Sequence, residues 1–121
     1  MVDEINLEFT YAVTDDPVSL TVVIGDGQMG GSSVRLDGAI VGKPGAIKNL
    51  RLGKGSDLIG HQLVVKTLVS DVNDLTNWTS VTYQLTGGPP QSPVTVQHRV
   101  ANNGDGVLYR TSFRFQRAEV T

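Results

Sequence analysis

Residues 5–13 read INLEFTYAV, and their pattern decides the fold class. The odd-numbered residues of this stretch are apolar or aromatic, whereas the even-numbered ones are polar or small. Because successive side chains of a β-strand point to opposite faces, this period of two predicts a strand with one buried and one exposed face. The same alternation recurs along the rest of the chain, so we expect a protein built almost entirely of strands.

Further strands are predicted wherever the alternation returns between turn-forming residues. They cover residues 18–24, 33–41, 47–52, 61–72, 78–86, 94–100 and 107–115. Residues 102–106 read NNGDG, which predicts a hairpin between the last two strands. The chain shows no sustained apolar stripe with a period of about 3.6 residues, so no helix longer than a turn is expected.

These strands predict one domain over residues 1–121, folded as an antiparallel two-sheet β-sandwich of about eight strands. Immunoglobulin-like, C2-like and jelly-roll domains all share this general pattern. A small β-barrel is the alternative, because its strands alternate in the same way. The 121 residues, of which 39% are hydrophobic, suffice for one core and leave no room for a second.

Composition excludes several classes of function. The formal net charge of −2 argues against a general nucleic-acid binder, since such proteins usually carry a basic excess. The absence of cysteine excludes disulfides and thiolate metal sites. No apolar run approaches the roughly 20 residues that cross a bilayer, so no membrane span is expected. If Met1 is the natural start, the lack of a signal peptide predicts a cytoplasmic protein, and otherwise the location is left open.

Two features have the composition of a cofactor or catalytic site. Residues 25–30 carry the glycine spacing of a dinucleotide-binding loop, but strand-like alternation follows where that motif requires a helix. His61 and His98 are the only histidines, and no serine elbow accompanies them. We therefore predict no cofactor of this kind and no enzymatic activity. A small enzyme, or an enzyme's accessory domain, centred on one of the histidines is an alternative.

Acidic and amide side chains are concentrated in alternate loops. If eight strands run antiparallel in succession, the first, third, fifth and seventh loops meet at one end of the domain. The candidate ligands in these loops are Asp15, Asp16, Asp71, Asn73, Asp74 and Asp105. Ca²⁺ is commonly held by such oxygen ligands, so this end is a candidate calcium site. The alternative is that these are ordinary turn residues which bond to their own main chain.

Candidate interaction residues lie on the last strands and at the start of the sixth. If the last two strands pair, Arg99, Arg110 and Arg114 share one exposed face that could dock carboxylates. The alternative is that these arginines pair with neighbouring strands or stay solvated. Trp78 alternates out of phase with the apolar residues of its strand, which favours an exposed residue available to a partner or a carbohydrate ligand. The alternative is that Trp78 covers one end of the core.

The leading interpretation is a non-enzymatic protein-interaction or structural module that binds a protein partner or assembles with itself. It depends on ordinary sandwich chemistry combined with the lack of a convergent catalytic set. The alternative is a ligand-binding module that uses its loop ends for Ca²⁺ or a carbohydrate.

Overall fold

The computed structural model describes residues 2–119. Within this range the chain forms nine strands and one short helix. In chain order they are β1 (Val2–Val13), β2 (Pro17–Ile24), β3 (Met29–Leu36), β4 (Ala39–Ile40), β5 (Leu50–Lys54), α1 (Gly55–Leu58), β6 (Gln62–Ser70), β7 (Trp78–Thr86), β8 (Val94–Arg99) and β9 (Gly106–Arg117). The predicted all-β class is confirmed, and the only helix in the described range is a single turn.

The strands form two sheets. The five-stranded sheet has the order β1-β9-β6-β3-β4, and the four-stranded sheet has the order β5-β2-β7-β8. Neighbouring strands are antiparallel except β1 and β9, which pair in parallel from Val2 beside Gly106 to Val13 beside Arg117. The sheets face each other as the predicted two-sheet sandwich and do not close into the alternative barrel.

The core lies between the sheets and is made by the inward half of each alternating strand. Its largest fully buried side chains are those of Tyr83, Tyr109 and Phe113. The Phe113 ring lies 5.8 Å from the Phe9 ring and 5.6 Å from the Tyr83 ring, measured between centroids. These aromatic contacts join β1, β9 and β7, so they bind the two sheets together.

Buried hydroxyl groups inside the sandwich are paired with one another. The Thr111 hydroxyl donates to the Tyr83 hydroxyl at 2.8 Å, and the hydroxyl oxygens of Thr79 and Tyr109 lie 2.6 Å apart. Burial raises the pKa of Tyr83 and of Tyr109, which keeps both phenols neutral. Because each buried hydroxyl has a partner, the core tolerates these polar atoms without a large desolvation cost.

One turn differs from the sequence prediction and changes the arrangement of the later loops. The predicted strand over residues 33–41 is wrong, because Asp37 and Gly38 turn the chain between β3 and β4 with φ of 49° and 85°. Two positive φ values in a two-residue turn are typical of tight hairpins. This additional reversal moves every later loop to the end of the sandwich opposite to the predicted one.

The predicted hairpin between the last two strands is also wrong. The segment before Gly106 carries the chain from β8 in the four-stranded sheet to β9 in the five-stranded sheet. β8 pairs with β7, and β9 lies between β1 and β6. The glycines and asparagines there serve a crossing between sheets, which needs the same flexible turn residues as a hairpin.

Candidate functional site

β1 is one of the two outermost strands of the five-stranded sheet, and among residues 2–119 no strand covers its free edge. The main chain of Ala12 faces this edge, since its N–H donates to Gln91 Oε1 at 3.0 Å and its carbonyl accepts from Gln91 Nε2 at 2.9 Å. Main-chain groups alternate between the two sides of a strand. The same edge therefore carries the N–H and C=O groups of Glu4, Asn6, Glu8 and Thr10.

We call this row of groups from Glu4 to Thr10 the β1 edge. None of the described residues supplies a main-chain hydrogen bond to it, because β1 pairs only with β9 on its other side. The side chains of Glu4, Asn6, Glu8 and Thr10 are exposed on the outer face of the sheet. An open row of donors and acceptors can accept the main chain of another strand.

The apolar residues beneath the β1 edge are incompletely covered. Ile5, Leu7 and Phe9 point towards the core but are only half-buried, whereas Tyr11 and Val13 further along the strand are buried. Tyr11 and Val13 are better covered because the end of β7 and the segment after it approach this part of β1: the Tyr11 hydroxyl donates to the carbonyls of Leu85 and Gly87, and Gln91 bonds to Ala12. The half-buried apolar side chains therefore belong to the same stretch of β1 whose outward main-chain groups have no hydrogen-bond partner.

Two side-chain contacts bound the β1 edge. At its far end, the primary amide of Gln91 takes the place of a strand partner for Ala12. At its near end, His98 Nε2 on β8 lies 2.8 Å from Asp3 Oδ2, which links the two sheets. The His98 side chain is 27% exposed, so this hydrogen bond lies at the margin of the core.

Two of the three predicted interaction arginines share a face. Arg110 and Arg114 lie on the outer face of the five-stranded sheet, where Lys66 of β6 is the cross-strand neighbour of Arg110. The prediction that Arg99 joins them is wrong, because β8 belongs to the other sheet. Lys66 takes the third cationic position instead.

Arg99 lies beside the other predicted interaction residue. Trp78 is its cross-strand partner between β7 and β8, and Trp78 is 47% exposed, as the alternation predicted. The two residues line a shallow cavity of about 290 Å³ together with Asp74, Leu75 and Asn103. Leu75 is 93% exposed, so the cavity has an apolar rim. A partner or carbohydrate at Trp78 remains a prediction.

A second polar cavity, of about 450 Å³, lies at the opposite end of the sandwich. His61 is exposed, and its Nδ1 bonds to Asp37 inside this cavity, where Arg114 also lies. The N–H of Gln62, 2.9 Å from Asp37 Oδ1, and then His61 lower the pKa of the Asp37 carboxyl. Asp37 is therefore ionised at neutral pH and holds the imidazole of His61 in one orientation. The small-enzyme alternative stays a prediction.

The six predicted metal ligands do not share one end of the sandwich. Asp71, Asn73, Asp74 and Asp105 lie in the loops after β6 and β8, at the end where β1 begins. The grouping of Asp15 and Asp16 with them is wrong, because the loop between β1 and β2 lies at the other end. The cause is the additional turn at Asp37 and Gly38, which reverses the ends of all later loops.

Several of the predicted ligands already bond within the protein. The Asn73 side chain donates to the Asp26 carbonyl at 3.0 Å and accepts from the Leu75 N–H at 3.1 Å. Asp105 Oδ2 accepts from the Asn102 N–H at 3.2 Å. At the other end, Asp15 contacts Arg117 Nη2 at 3.3 Å. These contacts agree with the alternative interpretation of the loops as turn chemistry.

Asp71 differs from the other acidic residues. It is 3% exposed, and neither carboxylate oxygen has a hydrogen-bond partner among residues 2–119. Its main chain is held by Asp105 and Gly104, through hydrogen bonds of 3.0 and 3.1 Å. In the described part of the chain, no group of three or more histidine, aspartate or glutamate side chains is placed to hold a metal ion.

Comparison with known proteins gives no relative for this chain. No protein-family model, no curated protein and no solved structure matches it. Between residues 2 and 119, no helix is long and apolar enough to cross a membrane.

Proposed function

We propose that this chain is a protein-interaction module that binds an extended strand along the β1 edge. The observation that carries the proposal is the coincidence of an unpaired main chain from Glu4 to Thr10 with half-buried apolar side chains beneath it. An added strand would satisfy both at once, since it brings main-chain hydrogen bonds and an apolar face of its own.

The hydrogen-bonding capacity of the β1 edge supports this function. Four residues present both an N–H and a C=O group to the edge, and a net contribution of about 0.5–1.5 kcal/mol is typical of each hydrogen bond formed. An added strand that covers Ile5, Leu7 and Phe9 contributes further by removing apolar surface from water. Together these gains are of the size needed to offset the ordering of a short strand.

Charge on the outer face gives the β1 edge selectivity. Glu4 and Glu8 are exposed on the outer face of the sheet. Every second side chain of an added strand would lie on this face, beside them. Acidic side chains directly opposite them would be repelled, whereas basic or neutral ones would be accepted. The same two carboxylates guard an open edge against indiscriminate aggregation.

A short peptide with alternating valine and either lysine or threonine tests this function. We expect it to slow amide hydrogen exchange at Glu4, Asn6, Glu8 and Thr10, because those N–H groups gain acceptors. Asn6→Pro removes one N–H from the edge without removing a β1–β9 hydrogen bond, so it should weaken binding of the peptide. Asn6→Ala keeps the N–H and serves as the matched control. With the chain dilute enough to be monomeric, unchanged exchange at these four amides with saturating peptide would rule out strand binding.

A second candidate function is cation binding at Asp71, which the unpartnered buried carboxylate favours. A buried charge without a partner is costly, and a bound Ca²⁺ would relieve that cost. The remaining ligands would be carbonyl oxygens, amide oxygens or water from the surrounding loops.

Calcium titration with thermal unfolding tests the cation site. We expect Ca²⁺ to raise the melting temperature of the wild type by several degrees, because a ligand that binds only the folded state stabilises it. Asp71→Asn should abolish the rise, while Asp16→Asn at the opposite end of the sandwich should leave it intact. A melting temperature indifferent to millimolar Ca²⁺ would refute the site.

A further inference from the structure

We infer that the strand bound by the β1 edge is β1 of a second copy of this chain, running antiparallel with Leu7 opposite Leu7. This inference rests on the strand-binding function proposed above and names its partner. Three properties of β1 support it: the charges along its outer face, the apolar side chains along its inner face, and the extent of the open stretch.

Pairing rules limit the possible registers. The main-chain groups on the β1 edge belong to even-numbered residues, so even-numbered residues must face even-numbered residues of the second copy. With Leu7 at the centre, Glu4 faces Thr10 and Asn6 faces Glu8. Each carboxylate then lies opposite a neutral polar side chain, and no like charges are directly opposed.

The neighbouring registers bring like charges together. A shift that places Asn6 at the centre sets Glu4 opposite Glu8, and this happens twice because of the two-fold symmetry. A shift in the other direction places Glu8 opposite Glu8. Since like charges directly opposite each other destabilise a strand pair, both shifted registers are disfavoured.

Registers further from the centre fail for other reasons. If Ile5 is central, the carboxylate of Asp3, which is bonded to His98, lies opposite the apolar Leu7. If Phe9 is central, Asn6 must pair with Ala12, whose main chain is already bonded to Gln91. In the register centred on Leu7 the pairing ends at Glu4 and Thr10, so that Asp3 and Ala12 both lie outside the paired stretch.

The inner face is self-complementary in the same register. Leu7 faces Leu7, and Ile5 faces Phe9 of the second copy, so each half-buried side chain meets an apolar partner. The two five-stranded sheets then continue into one another across the symmetry axis. The residues paired in this register, Glu4 to Thr10, lie between the Asp3 contact with His98 and the Ala12 contact with Gln91, so neither contact has to break for the two-fold pair to form.

Sedimentation velocity on the untagged chain tests the dimer. We expect a monomer–dimer equilibrium that shifts to dimer as concentration rises from low micromolar to near millimolar. Asn6→Glu should weaken the dimer and Asn6→Lys should strengthen it, because position 6 faces Glu8 twice per dimer. The expected change in dissociation constant is roughly two- to thirtyfold in each direction, and it should shrink at high salt.

Cross-linking tests the register. The sequence has no cysteine, so Leu7→Cys introduces a single thiol per chain. Directly opposed residues outside the hydrogen-bonded pairs have Cα atoms about 4.5 Å apart, which suits a disulfide. We expect oxidation to join two copies of this variant, whereas Thr95→Cys on the outer face of the other sheet should remain monomeric under the same conditions.

The results of these experiments distinguish failure of the dimer from failure of strand binding at the β1 edge. A strictly monomeric chain whose β1 edge is still protected by the valine peptide would overturn the dimer and leave strand binding in place. A monomer with no protection would overturn both. A dimer that persists in Asn6→Pro, or that does not cross-link through Leu7→Cys, uses another surface and would overturn the inference.

Discussion

Phe113→Ala is expected to lower the free energy of unfolding by about 3–5 kcal/mol. Phe113 is 1% exposed and contacts the rings of Phe9 and Tyr83, so its truncation leaves a cavity where β1, β9 and β7 meet. Because small domains are stable by only about 5–15 kcal/mol, this loss is a large part of the total. Urea denaturation followed by circular dichroism measures it.

Leu68→Ala is the control for Phe113→Ala. Leu68 lies on β6, the neighbour of β9, but it faces outward and is 48% exposed. We expect its truncation to cost less than about 1 kcal/mol, since surface substitutions usually fall near that range. Equal losses for the two variants would mean that the sheets do not pack through Phe113.

Gly87→Ala is expected to destabilise the fold by about 2–5 kcal/mol, the sum of an unfavourable dihedral angle and a steric clash. Gly87 has φ of 103°, and an added Cβ would lie 2.2 Å from the carbonyl oxygen of Pro17. That oxygen belongs to the backbone of β2, so relief requires one of two strand ends to move. The Tyr11 hydroxyl also donates to the Gly87 carbonyl at 2.8 Å, and this bond would be displaced.

Gly104→Ala separates the two causes. Gly104 has φ of 86°, but an added Cβ would meet no atom within 4 Å. Its cost should therefore be limited to the dihedral angle, about 1–2 kcal/mol. Thermal and urea unfolding of both variants measure the difference. If Gly87→Ala were no worse than Gly104→Ala, the close approach between Gly87 and β2 would not exist in solution.

The fold class could be predicted because each strand has its own alternation of apolar and polar residues. The alternation in residues 5–13 reports one buried and one exposed face without reference to any partner strand. The order of the strands in the sheets does not follow from these local patterns. Nothing in β1 or β9 alone indicates that they pair in parallel, because that pairing joins residues about a hundred positions apart. The sequence therefore predicts which face of each strand is buried, but it does not predict the strand order of the two sheets.

The missed turn had a signal in the sequence. Asp37-Gly38 is a strong hairpin dipeptide, but apolar residues on both sides continued the alternation and concealed it. The NNGDG segment carried the same kind of signal and does not form a hairpin. Turn residues report that the chain bends, and they do not report whether the next strand joins the same sheet.

The β1 edge itself was not predicted. The sequence pattern that suits it can be interpreted only once the strand order is known. Glu4 and Glu8 place two charges on the exposed face of a strand whose other face is apolar, a pattern that suits an outermost strand. Nothing in the sequence marks Gln91, because it reaches the main chain of Ala12 only after the chain has folded. The grouping of Arg99 with Arg110 failed for the same reason as the hairpin.

The parallel pairing of β1 and β9 also determines how the protein responds to tension. A force that draws the start of β1 away from the end of β9 acts along both strands and slides them past each other. All the paired positions, from Val2 beside Gly106 to Val13 beside Arg117, then bear load at the same time. An antiparallel pair pulled from one end would open one rung after another. The β1–β9 pair therefore resists pulling along this axis, because its paired positions cannot open one at a time.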